Sequence, residues 1–426
     1  VIKTTKKIKI LWLSDSPLTV TGFATISKNM MNKLPKDKFE VHYIAHNYLG
    51  QTLAPGTMFE DGTKLEFYLH GAGTQPYCAD IIEQRIKTIK PDIFGCLLDT
   101  FMLYQAGYMA KDLSPGMTVM YYPSDGGGNL PTGCEQILKK FHENVAMARY
   151  AQRQARDVHG IKSHCIPHAI DRKIYYPLSK SKKEQLKAKY GLSGKFVVGT
   201  VARNQGRKMM DRTFKAFYRF AKDKDDVVLF CHTDPNDAAQ VFNMQQLINR
   251  YKLNNKVVFT GMTFFHGFDY TQMNEVYNVM DIFFLSTSGE GFGVPTIECQ
   301  ACKVPPVVTD YTTTHELLEE DGKSGLKVRL AGVVDAPYST QETENQHELD
   351  LALDNGTITG SWTVERGIMD VQHAAEQIQV LYDNPTLRKE LGEAGLEKVK
   401  KIYSWDVVIP QWVALFENMV KKNDKN

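Results

Sequence analysis

Ser286-Thr-Ser-Gly-Glu290-Gly-Phe-Gly-Val-Pro-Thr-Ile-Glu298 is the stretch that decides the architecture. It reads as the end of a strand, a glycine loop, and a helix whose first turn begins at Pro295. Glycines at 289, 291 and 293 let backbone approach a ligand closely, and the helix start offers unpaired N–H groups to anionic or hydroxylated groups. Glu290 lies in the loop, where a carboxylate can accept hydrogen bonds from hydroxyls such as those of a sugar. Glu298 lies about one turn into the helix, and taken alone a surface carboxylate would explain it. Val294, Ile297 and Ala301 point instead to a buried helix, where a glutamate needs a hydrogen-bonding partner such as a ribose diol.

Upstream, Val201-Ala-Arg203-Asn-Gln-Gly-Arg-Lys208 follows a buried strand and precedes an amphipathic helix carrying Met210, Phe214 and Phe217. Cations on a strand-to-helix loop suit a diphosphate, arginine as a fork and lysine as a point charge. A charged turn would explain the same residues, and it is the nearby glutamate motif that tips the balance toward function.

Further out, short β-rich apolar runs recur at 8–13, 39–45, 93–98 and 118–123, then at 196–201, 227–232, 257–260, 282–285 and 306–309, each followed by a helical pattern. That alternation predicts an α/β chain of parallel sheets covered by helices. A break falls at 171–195, with the domain boundary near residue 176. Its lysine-rich stretch from Ser179 to Tyr190 reads as a solvated helix face, against a membrane-surface or acceptor-binding role. Both halves open alike, a strand running into a loop with Gly22 and a strand running into a loop with Gly206. Two mononucleotide-type folds follow, with a cleft between them as the expected site. Residues 331–365 read as an irregular polar excursion before final helices near 371–381, 387–401 and 405–421.

Composition narrows the class. A length of 426 residues exceeds one ordinary core and predicts two domains. Hydrophobic content of 42% with 23% charged residues fits a soluble globular chain. No stretch approaches the roughly 18 apolar residues of a membrane span. Val1 to Lys9 leads straight into a strand rather than a signal-peptide core. A net charge of +2 gives no push toward nucleic acid. Seven cysteines, an odd number mostly inside apolar runs, suit reduced thiols in a cytoplasmic protein, and the lone Cys299-x-x-Cys302 reads as helix packing rather than a zinc or redox site.

Together these pieces resemble the retaining glycosyltransferases of family 4, with the GT-B fold of two Rossmann-like domains facing a central cleft. The likeness covers nearly the whole chain. Its most specific part is the Glu, seven residues, Glu signature at Glu290 to Glu298, followed by Pro305-Pro-Val-Val-Thr309 and Thr314-His-Glu-Leu317. Thr21-Gly-Phe23, Ile166-Pro-His-Ala-Ile-Asp171, Val258-Phe-Thr-Gly261 and the segment from Tyr277 to Asp281 also match. The resemblance implies an acceptor-side domain over 1–175, a donor domain over 176–403 and a C-terminal helix over 404–426 crossing back to the first. It implies that Arg203 and Lys208 neutralise the donor diphosphate, and that Glu298 binds the ribose. Glu290 and the backbone at Phe292, Gly293 and Val294 would hold the transferred sugar, Gly22 would let the first loop close on the phosphates, and Met262 would lie against the base. Transfer from a UDP- or GDP-sugar would retain configuration by a front-face path, with no protein nucleophile, no metal and no other cofactor.

Two departures stand out. Many members carry a histidine where this chain has Tyr121-Tyr-Pro-Ser-Asp125, so Asp125 takes that place or is an ordinary turn residue. The family's Gly-Gly-x-x-Glu turn is here Thr312-Thr-Thr-His-Glu316. His168 reads as structural or close to the cleft rim. No Gly-x-Gly-x-x-Gly dinucleotide fingerprint follows a strand, and Asp223-Lys-Asp225 reads as a solvated loop rather than a metal site. A sugar-nucleotide epimerase and a catalytically silent nucleotide-sugar or glycan-binding subunit are the alternatives. The acceptor is open among glycan, lipid-linked sugar, protein, small metabolite and modified nucleic-acid base. The Arg-Asn-Gln-x-Arg-Lys spelling resembles bacterial and large-virus or phage sequences.

Overall fold

The computed structural model describes residues 6–19, 21–59, 62, 64–103, 116–128, 130, 134–238, 240–263, 267–318, 322–337 and 363–423. The chain forms two compact units. The first comprises Val1–Pro123, Leu130–Ala169 and Trp405–Asn426; the second comprises Ser124–Asn129 and Ile170–Ser404.

Strand β1 (Ile8–Ser14) shows why the first unit folds as it does. Ile10, Leu11, Trp12 and Leu13 are all fully buried, an unbroken apolar run of the kind a parallel sheet covered on both faces requires. It is joined by β2 (Phe39–Ala45), β3 (Tyr68–His70), β4 (Ile93–Leu97), β5 (Met117–Tyr122), β6 (Glu143–Ala146) and β7 (His164–Cys165). Every pairing is parallel, in the order β3-β2-β1-β4-β5-β6-β7. The helix Trp405–Asn423 belongs to this unit and sets Trp412 edge-on to Trp12 and Tyr121, with ring centroids 6.1 and 4.9 Å apart.

The second unit carries β8 (Phe196–Val201), β9 (Val227–His232), β10 (Val257–Phe259), β11 (Ile282–Leu285), β12 (Pro306–Thr309) and β13 (Leu326–Val328). They pair in the order β10-β9-β8-β11-β12-β13, all parallel. Counted from its own first strand this is the 3-2-1-4-5-6 order of a dinucleotide-binding sheet, and the order reverses between β8 and β11. The loops that leave those two strands therefore flank the crevice where such sheets take ligands.

Residues 331–365 are not irregular throughout. Strands β14 (Leu330–Pro337) and β15 (Thr363–Met369) form an antiparallel pair with Val334 opposite Arg366, and residues 338–362 lie outside the described residues. The stretch gave no strand signal because Val333 and Val334 are both exposed, so no apolar alternation marks a core face. The lysine-rich helix is Lys180–Lys189, capped by the Ser179 side chain. All seven cysteines are free, and Cys299 and Cys302 are fully buried on and just after the helix Val294–Ala301. Asp223 and Asp225 are exposed. No helix among the described residues is long and apolar enough to cross a membrane.

Candidate functional site

The loops after β8 and β11 are laced together before any charge is considered. Ser288 N donates to Arg207 O at 2.7 Å, and Ser286 Oγ donates to Met209 O at 2.9 Å. The first loop tightens into a single 3-10 turn, Gly206–Lys208, and the chain enters the helix Met210–Ala221 through Met209.

That turn drives Lys208 inward. Its ammonium is buried and donates to Glu290 Oε1, while Arg207 Nη1 donates to Glu290 Oε2 at 3.1 Å. Burial by itself would raise the Glu290 carboxyl, but the Lys208 ammonium and the Arg207 guanidinium together overcome it and bring it down to about 2. Burial also pulls the Lys208 ammonium down, to about 8, with Arg207 adding repulsion and Glu290 opposing both. Glu290 is thus a carboxylate at every working pH, clamped between two cations.

Asp125 belongs to the second unit and stands beside the same cluster. Its Oδ2 lies 3.5 Å from Arg207 Nε and its Oδ1 3.3 Å from Arg366 Nη1. The approach is close enough that a Cβ on Gly289 would fall 1.8 Å from the Asp125 carbonyl oxygen, so only glycine fits there. Thr312 holds the loop from the other side, its Oγ1 accepting from Glu290 N at 3.0 Å. It does so at φ +50°, a strained conformation for a β-branched residue, at a position where a glycine would sit easily.

The other sequence-predicted residues fall in separate places. Arg203 is not at Glu290: its Nε and Nη2 reach Asp237 at 2.7 and 3.3 Å. Glu298 is buried and accepts from the Tyr277 hydroxyl at 2.5 Å, with Tyr175 as a second partner; burial raises its carboxyl, and the two tyrosines oppose that. Phe292 is buried edge-on to Tyr403, Gly293 caps the helix Val294–Ala301 at φ +91°, and Val294 opens that helix half-buried. Met262 is half-buried just past β10. Gly22 starts the helix Gly22–Lys33 of the first unit behind the Thr21 cap. His168 is buried against the Tyr121 hydroxyl at 2.7 Å, and burial pushes its ring down to about 3. Among the described residues no group of three or more histidines, cysteines or carboxylates is placed to hold a metal ion.

Three residues that pair with the site were not singled out from sequence. Arg207 lay inside the quoted cationic motif between two residues that drew the attention. Asp237 and Arg366 gave no local signal, because each reaches its partner across a long sequence separation.

Residues 182–342 match the family model for glycosyl transferases group 1. Mannosylfructose-phosphate synthase of Agrobacterium fabrum is 26% identical over 153 residues, covering 34% of this chain and 32% of that protein. The chain thus spans about a third of the length of this curated relative. Sucrose-phosphate synthase from Thermosynechococcus elongatus superposes with a TM-score of 0.75 at 14% identity, over 98% of this chain and all of that one. The fold is GT-B. Anabaena HepE, solved in complex with UDP and glucose, shares it with a TM-score of 0.68 at 14% identity, over 96% of this chain and 100% of that one. In this GT-B chain the Lys208–Glu290–Arg207 cluster sits at the strand-order reversal of the second Rossmann-type sheet.

Proposed function

We propose that the chain is a glycosyltransferase that binds a nucleotide sugar on its second unit and transfers the sugar to an acceptor hydroxyl. The observation that carries this is the Lys208–Glu290–Arg207 cluster, with Lys208 and Glu290 buried and Arg207 half-buried, at the carboxyl ends of β8 and β11. An ammonium and a guanidinium suit a diphosphate, and a carboxylate between them suits sugar hydroxyls.

In this reading Lys208 and Arg207 face the diphosphate, and Arg203 joins them with its guanidinium plane fixed by Asp237. Glu290, Asp125 and the backbone at Phe292, Gly293 and Val294 hold the sugar. Glu298 takes the ribose hydroxyls beside its tyrosines, Met262 lies against the base, and Gly22 leaves room on the first unit's loop. A carboxyl held near 2 is a weak base, which disfavours Glu290 as the group that deprotonates the acceptor. A front-face path fits better: the anomeric carbon–phosphate oxygen bond breaks, the acceptor oxygen bonds on the same face, and its proton passes to the departing diphosphate. Configuration is then retained. Lys208, Arg207 and Arg203 supply the charge that a divalent ion would otherwise bring, so the reading includes turnover without metal. HepE was solved with UDP, which makes UDP the first nucleotide to try, with GDP beside it.

Calorimetric titration of the chain with UDP and GDP in the absence of metal tests this. Micromolar binding of one nucleotide, weakened by Lys208→Ala and by Glu298→Ala, is expected. A folded protein that binds neither nucleotide would remove the donor site from the proposal.

A further inference from the structure

Strand β15 lies on both loops of the site. Gly367 N donates to Ser288 O at 3.0 Å and Gly127 N donates to Glu365 O at 2.8 Å. Between these two anchors Arg366 is only 5% exposed, and its Nη1 donates to the Asp125 carbonyl at 2.6 Å. The glycine run after Asp125 is shaped by the same contact. A Cβ on Gly126 would meet Val364 Cγ2 at 1.6 Å, and one on Gly127 would meet the Tyr311 hydroxyl at 1.9 Å. These glycines serve the docking of a strand, although the sequence alone would allow a phosphate loop.

The result is one chain of charges: Arg366 to Asp125, Asp125 to Arg207, Arg207 to Glu290, and Glu290 to Lys208. Arg366 makes the cations three against two carboxylates. Without it the two carboxylates would balance Arg207 and Lys208 one for one. An arginine side chain also loses much rotamer freedom when ordered, so fixing Arg207 in the free protein moves that loss from binding to folding.

We propose that Arg366 is a positioning residue for a diphosphate subsite: acting through Asp125, it holds Arg207 beside Lys208. The proposal rests on the donor reading for the nucleotide, while the subsite itself is defined by the diphosphate. Asp125 is the hinge of the idea. Removing its negative charge should favour an anion if it acts by charge alone, and should disfavour one if it holds Arg207 in place.

Titration of the full chain with inorganic pyrophosphate and, separately, with UDP and GDP decides. Arg366→Gln is expected to weaken pyrophosphate about tenfold, which corresponds to about 1.4 kcal/mol. Asp125→Asn weakens it as well, the double variant is no weaker than Arg366→Gln, and Arg366→Lys recovers part of the loss. Tyr311→Phe removes the hydroxyl that donates to Glu365 Oε1 at 2.7 Å and changes no charge. It lowers the melting temperature and leaves pyrophosphate affinity unchanged. Tighter binding in Asp125→Asn, losses that multiply in the double variant, or an equal loss in Tyr311→Phe would each overturn the proposal. If Arg366→Gln does not fold, Arg366→Lys and Asp125→Asn carry the same signs. Wild-type protein that binds pyrophosphate but neither nucleotide ends the donor reading and leaves the pyrophosphate series to decide on Arg366. Protein that binds no pyrophosphate and no nucleotide ends both.

Discussion

The two parallel sheets reverse strand order in the same way, yet the loops at the two reversals carry opposite chemistry. In the first unit β1 runs into residues 15–21, which contain no lysine or arginine. Asp15 there is met by His46 Nε2 at 2.8 Å and by the Thr21 hydroxyl, and the Tyr43 hydroxyl donates to its carbonyl at 2.5 Å. In the second unit β8 runs into a loop that holds Arg203, Arg207 and Lys208, the last of them buried. One backbone plan thus gives an acid–imidazole corner in one unit and a cationic corner in the other. The sheet decides where a ligand can lie, and the side chains at its reversal decide which ligand that is.

The comparison breaks most sharply at Lys208. Lys208→Ala with a UDP-sugar is expected to lower kcat/KM by about 100- to 1,000-fold, as loss of one preorganised charge on a developing anion does. It also leaves the buried Glu290 with one cation fewer, so melting temperature must be followed beside turnover. A folded variant with kcat/KM within threefold of wild type would make the cationic corner incidental.

Next in size is the response to pH. The Lys208 ammonium stands near 8 in the folded chain, below its ordinary 10.5, because of burial and then Arg207. Such a group contributes stability that is present above 10.5 and lost as pH falls through about 8. For an anionic ligand the direction is reversed: UDP affinity falls as pH rises above about 8, by up to about tenfold per pH unit, as the ammonium discharges. Glu290, brought down to about 2, adds nothing to this limb; its stabilising share is complete above 4.5 and disappears as pH drops toward 2. UDP titrations between pH 7 and 9.5 that show a flat profile would mean that Lys208 is not the working cation.

A smaller and more selective effect is expected at Glu298. Glu298→Gln replaces a carboxyl that accepts from the Tyr277 hydroxyl with an amide that can offer that hydroxyl only one acceptor oxygen, at a stability loss of about 1–3 kcal/mol. On the donor reading UDP should weaken about three- to tenfold while pyrophosphate is unaffected, because that reading gives Glu298 the ribose and not the phosphates. Equal weakening of both probes would place Glu298 in the scaffold alone.

Much of the fold was legible from residues 8–13, 196–201 and 282–285, whose continuous apolar runs became the central strands β1, β8 and β11. Three short edge strands were not: β7 has two residues, and β3 and β13 three each, too few for a period to show, whereas β10 was read at 257–260. The glycine loop and Glu290 were legible because chemistry and spacing coincide in one stretch. The cation beside Lys208 was harder, since Arg203 and Arg207 share one loop and only the 3-10 turn at Gly206 sends the second toward Glu290. Arg366 was invisible: its strand pairs across residues 338–362 and its side chain answers to Asp125, 241 positions away. Local pattern reports local structure, and ion pairs between distant loops leave no mark in it.

The smallest effect is expected at the first unit's corner, and it sharpens the comparison from the other side. His46→Ala removes one partner of Asp15 but leaves the Thr21 hydroxyl in place, in a pair that is only partly buried. A loss of about 1 kcal/mol in stability is expected, in line with one hydrogen bond to a charged group that water can partly replace. UDP affinity should stay within about twofold, because residues 15–21 bring no lysine or arginine to a phosphate. Calorimetry and thermal melts on the same preparation measure both. If turnover falls while UDP affinity holds, the acid–imidazole corner serves the acceptor, and the division of labour between the reversals is real. If UDP affinity falls tenfold in His46→Ala, the donor is read by both units and the contrast in charge does not separate their roles.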